Sequence, residues 1–170
     1  ALLGGMSLEA AASVCERDPA ALSVLENDLT RRIAPSWVER LLGAAETVIV
    51  LDHTATPTAT RADVVLPTAT FAEGSGTLVS SEGRAQRLYR VMAPEGAVRE
   101  AWRWILELQA AAGDPRTPPW RNLDDVASAL ADAFPALKSL PQTFPGAGFR
   151  VHGQRIPRQP HRYSGRTATT

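Results

Sequence analysis

The sequence predicts an α/β fold: a partial doubly wound, mainly parallel sheet with flanking helices, C-terminal helices and an extended tail. Three observations predict it. Thr47 to Leu51 reads T-V-I-V-L, a continuous β-branched run of the kind that suits a strand covered on both faces. Val64 to Leu66 repeats that character and is closed by Pro67. Segments with helical spacing, Leu8 to Arg17 and Pro35 to Leu42, come before these runs. Helices alternating with strands argue for parallel pairing.

Each element has a local reason. Ser7 is placed to cap the helix from Leu8, Glu9 suits its N-terminal dipole, and Asp18-Pro19 ends it. Ala21 to Leu25 reads as a short strand. Pro35 sits in the first turn of the next helix, Gly43 is its stop signal, and Val38, Leu41 and Leu42 form its buried edge. Pro57 to Ala62 suits one or two helical turns. From Phe71 to Gly83 the chain is rich in glycine and hydroxyl residues, which predicts a structured loop with a short strand inside. Arg84 to Val91 alternates as an edge strand with a polar outer face.

Val98 to Ala112 is the clearest helix. Ala101, Trp104, Ile105, Leu108 and Ala112 follow its 3.6-residue period, and Gly113 stops it. A proline-rich link, Asp114 to Trp120, leads to a helix capped by Asn122, with a stripe of Val126, Leu130 and Phe134 and an end at Pro135. Beyond Leu140 periodicity fades. The chain therefore divides into an α/β part over 1–113, a linker and helix over 114–148, and an extended basic tail over 149–170.

Composition narrows the function. The 170 residues carry 18 basic and 18 acidic side chains, so no global field draws in nucleic acid or an anionic membrane. Locally, five arginines lie between Arg150 and Arg166 with no acid among them. That tail has little aromatic interleaving and no helical period, so docking on an acidic partner surface is the simplest account. No apolar run approaches a membrane span. The chain opens on Ala1, with Leu2 and Leu3 in mid-pattern, as a cut from a longer chain or a processed start would.

Cys15 is the only cysteine. A disulfide framework, or a zinc or iron–sulfur site built from this chain's thiolates, is thereby excluded. Cys15 shares a helical face with Leu8, Ala11 and Ala12 and reads as inert packing. His53, His152 and His161 have no metal-type spacing. His53 beside Asp52 has the form of a base and its orienter, but no nucleophile accompanies the couple. Trp102 faces away from the Trp104 stripe and suits a neighbouring element or partner.

One cluster has a position that binds ligands in other folds. Asp52, Thr54, Thr56 and Thr58 lie just past the carboxyl end of the Thr47–Leu51 strand, where open α/β sheets hold ligands. Asp and Thr there are equally ordinary turn and cap residues. Gly74, Gly76 and Gly83 lack the context of a phosphate-binding loop and suit positive φ in a tight crossing loop. Glu73, Glu82 and Arg84 are candidates for an ion pair fixing that loop.

Ala62 to Gln86, A-D-V-V-L-P-T-A-T-F-A-E-G-S-G-T-L-V-S-S-E-G-R-A-Q, resembles a signature of the molybdopterin oxidoreductase superfamily. V-I-V-L-D at 48–52 and the threonines after it match the strand and turn that precede that signature. The match covers about forty residues in order, far more than a lone glycine pattern gives. Within the superfamily, R-I-P-R-Q-P-H-R-Y-S-G-R-T-A at Arg155 to Ala168 and E-N-D-L-T-R-R at Glu26 to Arg32 resemble the iron–sulfur G-subunit family of bacterial NADH-quinone oxidoreductases.

That resemblance implies the C-terminal part of such a subunit, structural and without chemistry of its own. It implies no cofactor in this chain, with iron–sulfur clusters in a preceding N-terminal region. Implied partners are the rest of the subunit and other hydrophilic-arm subunits, on the cytoplasmic side of the bacterial inner membrane, with no nucleic acid and no membrane span. In catalytic relatives Asp52, Thr54, Thr56 and Thr58 would lie near pterin-dinucleotide contacts, so a vestigial pterin edge is expected there. The alternative is the pterin-edge domain of a formate dehydrogenase-like enzyme. Against it, only 57 residues follow Gly113, and they lack the strands of the β-rich domain that closes over a pterin. A third reading is a free-standing interaction module.

Overall fold

The computed structural model describes residues 5–80, 82, 84–149 and 152–153. Helix α1 (Leu8–Arg17) begins where the Ser7 hydroxyl accepts from the Ala10 N–H. It leads into strand β1 (Ala21–Leu25), a single 3₁₀ turn (Leu29–Arg31) and α2 (Pro35–Ala44). Strand β2 (Thr47–Asp52), a second 3₁₀ turn (Ala59–Arg61) and β3 (Val64–Pro67) complete a parallel sheet of order β1-β2-β3. β4 (Gly76–Val79) and β5 (Ala85–Leu88) form a separate antiparallel pair. Three helices follow: α3 (Ala101–Ala111), α4 (Leu123–Ala133) and the single turn α5 (Leu140–Thr143). The α/β class read from the sequence is the class observed.

The core lies between one sheet face and the α1–α2 pair. Val24, Val48 and Val50 from the sheet meet Ala12, Val38, Leu41 and Leu42 from the helices, all buried. Each buried valine or leucine contributes about 1.5–3 kcal/mol by leaving water. Cys15 and Leu8 pack half-buried against this cluster, as their helical spacing predicts. On the opposite sheet face α3 approaches β2, and Leu51 is buried there at 1% exposure.

Several expectations are corrected. Gly43 does not stop α2, which runs on to Ala44. Pro67 is the last residue of β3 rather than its terminator. β3 is not covered on both faces: Val64 and Val65 are 41% and 50% exposed, because it forms one side of the sheet. The α3 stripe is half-buried and Ile105 is exposed, since α3 meets only part of the sheet. In α4 the buried line is Ala127 and Ala131, with Val126, Leu130 and Phe134 only half-buried. Small residues let that helix approach its neighbours closely. Its start follows expectation: Asn122 and Asp125 form a reciprocal capping box. The region after Leu140 is not wholly irregular, because α5 forms there. The tail's Arg150, Arg155, Arg158, His161, Arg162, Tyr163 and Arg166 lie outside the described residues.

The polar outer face expected over Arg84 to Val91 is present, with Arg84, Gln86 and Arg90 exposed; Arg87 alternates to the other face. Arg87 is not solvated; its side chain is 3% exposed and donates to the Asp124 Oδ1 at 2.6 Å. Asp124 also accepts the Ala147 N–H at 2.7 Å. One carboxylate thus joins the β4–β5 pair, α4 and the segment after α5. Its partial exposure lowers the cost of burying the guanidinium opposite it.

Candidate functional site

The carboxyl ends of β2 and β3 gather the residues singled out in the sequence. Parallel pairing sets Asp52 beside Pro67, and the Thr68 N–H donates to the Asp52 carbonyl at 3.1 Å. Asp52 is buried at 6% exposure, and its Oδ1 accepts the Thr54 N–H at 3.0 Å. This is the turn an aspartate forms with the backbone two residues on. His53 is exposed, with Nδ1 3.6 Å from the same Oδ1. The pair expected from sequence is therefore adjacent, at a distance beyond a hydrogen bond.

The threonines then divide. Thr54 is exposed. The half-buried Thr56 accepts the Ala59 N–H on its hydroxyl at 3.1 Å, at the first residue of the 3₁₀ turn before β3. Thr58 is fully buried. Its hydroxyl accepts the Leu29 N–H at 2.9 Å and donates to the Asp28 Oδ1 at 2.8 Å. Thr58 thus ties the loop after β2 to the loop after β1.

Asp28 is the hub that sequence reading missed. It caps its own 3₁₀ turn by accepting from the Thr30 N–H at 3.2 Å and the Thr30 hydroxyl at 2.9 Å. Desolvation opposes its ionisation, but the bonds from Thr58 and Thr30 outweigh it and hold its pKa below the ordinary aspartate value. The N-D-L-T run, with aspartate two residues before threonine, is the local signal for that cap. Nothing in the linear sequence signals the partner thirty residues away.

Beyond β3, Glu73 accepts the Thr70 N–H at 3.1 Å and the Thr70 hydroxyl at 2.8 Å. These bonds, the backbone one first, lower the Glu73 pKa, and nearby His53 adds to the effect. Glu73 therefore closes its own loop and does not pair with Arg84. The Arg84–Glu82 contact, 3.5 Å long, is solvent-exposed and fixes little. Gly74 and Gly76 do not adopt positive φ. Gly74 is instead a close approach: a Cβ there would lie 3.3 Å from the Glu100 Cγ and 3.5 Å from the Thr70 carbonyl. Gly83 lies outside the described residues.

Asp52, His53, Thr70 and Glu73 thus gather at the strand ends, while Thr56 and Thr58 turn inward to hold the backbone. Among the described residues no group of three metal-ligating side chains forms. A separate hollow of about 480 Å³ lies against α3, lined by Arg90, Arg99, Trp102 and Arg103 with Glu100 and Glu107. Its charges are largely matched. Arg99 pairs with Glu107, and Arg103 pairs with Glu100 at 2.9 Å while stacking 4.2 Å from the Trp102 ring centre.

A sheet of this kind, with an Asp–Thr turn at the strand ends and a Glu-Gly loop beyond, marks a class. The chain matches the molybdopterin oxidoreductase family model over residues 4–111 and belongs to that family. Among individual proteins, it is 46% identical over 99% of its length to the NADH-quinone oxidoreductase G subunit of Pseudomonas putida. It is 44% identical over 95% of its length to the corresponding G subunit of Shewanella oneidensis, and 40% identical over 98% to that of Escherichia coli O157:H7. The chain spans about a fifth of the length of these relatives, 18–19% of each.

Proposed function

We propose that the chain forms the C-terminal portion of the iron–sulfur G subunit of a proton-translocating NADH:quinone oxidoreductase (complex I). There it supports electron transfer from NADH to quinone as architecture and holds no cluster. The observation that carries this reading is the near-complete alignment of the chain with the G subunits of several bacteria. One cysteine, half-buried against the α1–α2 core, offers no ligand set for a cluster. Clusters would be held by an N-terminal region of the same polypeptide. Partners would be the rest of that polypeptide and other hydrophilic-arm subunits, on the cytoplasmic side of the bacterial inner membrane. No helix among the described residues is long and apolar enough to cross a membrane.

The family match favours one second reading, the pterin-edge domain of a catalytic molybdopterin oxidoreductase. The residues at the strand ends argue against it. Of Asp52, Thr54, Thr56 and Thr58, only Thr54 is exposed; Asp52 and Thr58 are buried, and the half-buried Thr56 hydroxyl is taken by the Ala59 N–H. They do not fit a pterin contact set. The test is to tag the chain in its native context and purify it. Co-purification with NADH:quinone activity and iron, without stoichiometric molybdenum, is the expected result. Molybdenum together with formate oxidation would overturn the proposal in favour of the second reading.

A further inference from the structure

Two hollows share a wall at the start of α3. The one of about 480 Å³ already described adjoins a second of about 280 Å³, and both are lined by Arg90, Glu100, Trp102 and Arg103. Ser75 before β4, Asn122 and Leu123 at the start of α4, and Gly148 wall the smaller one. Segments far apart in the chain therefore converge on one concavity.

The smaller hollow has an excess of hydrogen-bond donors. Its side-chain acceptors are taken. The Ser75 Oγ accepts the Arg90 N–H at 3.1 Å, and the Asn122 Oδ1 accepts the Asp124 and Asp125 N–H groups at 2.7 and 3.3 Å. The Glu100 carboxylate accepts the Arg103 Nε–H at 2.9 Å. Donors are left over. The Trp102 indole N–H is buried with no acceptor among the described residues, whereas Trp104, two residues on, gives its N–H to the Pro67 carbonyl. A buried donor without a partner is costly, so this one marks where an acceptor belongs. The Asn122 amide N–H groups and the Arg90 guanidinium likewise have no partner among the described residues.

Charge points the same way. Arg99 pairs with Glu107 and Arg103 with Glu100, which leaves Arg90, among the described residues, as the lining cation without a carboxylate. The nearby acids are engaged elsewhere: Asp124 with Arg87, and Asp125 with the Arg121 and Asn122 N–H groups. One unmatched guanidinium balances a single negative charge, and its planar fork suits a carboxylate. A doubly charged phosphate would exceed it. The larger hollow adds apolar walls in Pro94, Leu106 and the Trp102 ring, and its volume falls within the range of about 300–1,000 Å³ typical of small-molecule sites.

We propose that the paired hollows bind a small monocarboxylate with an apolar body. Its carboxylate sits on Arg90 and the donors of the smaller hollow, and its body lies along Trp102, Pro94 and Leu106 in the larger. This goes beyond the architectural role proposed above and does not depend on it.

Benzoate is the probe, with hexanoate as its aliphatic counterpart. Saturation-transfer NMR and isothermal titration on the protein purified with its native partners should show saturable binding of benzoate. Benzamide, its neutral isostere, should bind at least about tenfold more weakly. Arg90→Gln should weaken benzoate at least about tenfold, and Arg90→Lys, which keeps the charge and loses the fork, by less. The Arg90 side chain is exposed and bonded to no described residue, so neither change disturbs the fold. Arg17→Gln, at a position that lines neither hollow, is the control and should bind as wild type does. Equal affinity for benzoate and benzamide, or benzoate binding that survives Arg90→Gln, would overturn the proposal. Inorganic phosphate displacing benzoate at equal concentration would overturn the charge match and the proposal with it. Absence of saturable binding by both benzoate and hexanoate would mean that another segment fills the hollow, and would equally overturn it.

Discussion

Replacing Thr58 by valine tests whether the turn after β2 is a fastener or a ligand site. Valine matches threonine in shape and removes only the hydroxyl. The Leu29 N–H would lose its acceptor at a position where Leu29 itself is buried at 4% exposure. A buried donor left without a partner costs about 1–3 kcal/mol. Asp28 keeps its two bonds from Thr30, so its loss is smaller. A total of about 2 kcal/mol corresponds to a drop of roughly 4–8 °C in melting temperature for a chain of this size. Differential scanning calorimetry at pH 7 would measure it, with Thr54→Val as the control. Thr54 is exposed, and its replacement should change stability by less than about 0.5 kcal/mol. The gap between wild type and Thr58→Val should also narrow in acid. Asp28 has a lowered pKa, so its bonds stabilise fully above the unfolded value and are lost as pH falls through the folded one. Equal melting temperatures for Thr58→Val and Thr54→Val would refute the reasoning.

Three further expectations follow from the same geometry. Asp124→Ala should destabilise more than Arg87→Met, because the first leaves the 3%-exposed Arg87 without its carboxylate while the second leaves only a half-exposed aspartate; urea titration of both variants ranks them. Thermal stability should be flat from neutral pH to about pH 5 and fall below about pH 4: Asp28, Glu73 and Asp125 all have lowered pKa values, so their contributions are present above the unfolded values and lost as each protonates. Trp104→Phe should cost about 1 kcal/mol by removing the bond to the Pro67 carbonyl. It should also speed exchange at the Ala69 amide, whose acceptor, Arg99, leads into the same helix.

What was legible in the sequence was local. Ser7 and Asn122 cap helices because a short polar side chain reaches backbone N–H groups two or three residues away, and spacing alone reveals that. Apolar runs located all three parallel strands, because burial selects composition directly. Coverage was not legible. Val65 and Val50 are the same residue type side by side in the register, yet one is 50% exposed and the other fully buried. Composition records that a strand suits a covered sheet; it does not record which part of a longer chain does the covering. Arg87 shows a related limit. Alternation sets it opposite the exposed Arg84, Gln86 and Arg90 but does not reveal its partner, Asp124 of α4, which comes 37 residues later in the chain.

The candidate site shows the same limit with a functional consequence. Asp52, Thr54, Thr56 and Thr58 look alike in the sequence: four polar residues at a strand end where ligands bind. Three-dimensional partners separate them. A hydroxyl that already accepts one backbone N–H and donates to a carboxylate, as Thr58 does, has little left to offer a ligand. A side chain with 6% exposure, as at Asp52, cannot meet one without the turn opening. Opening it would break the bond from the Thr54 N–H to the Asp52 carboxylate, so binding would have to overcome part of the fold's own stability. The buried polar groups of this turn, Asp52 and Thr58, are committed to the scaffold.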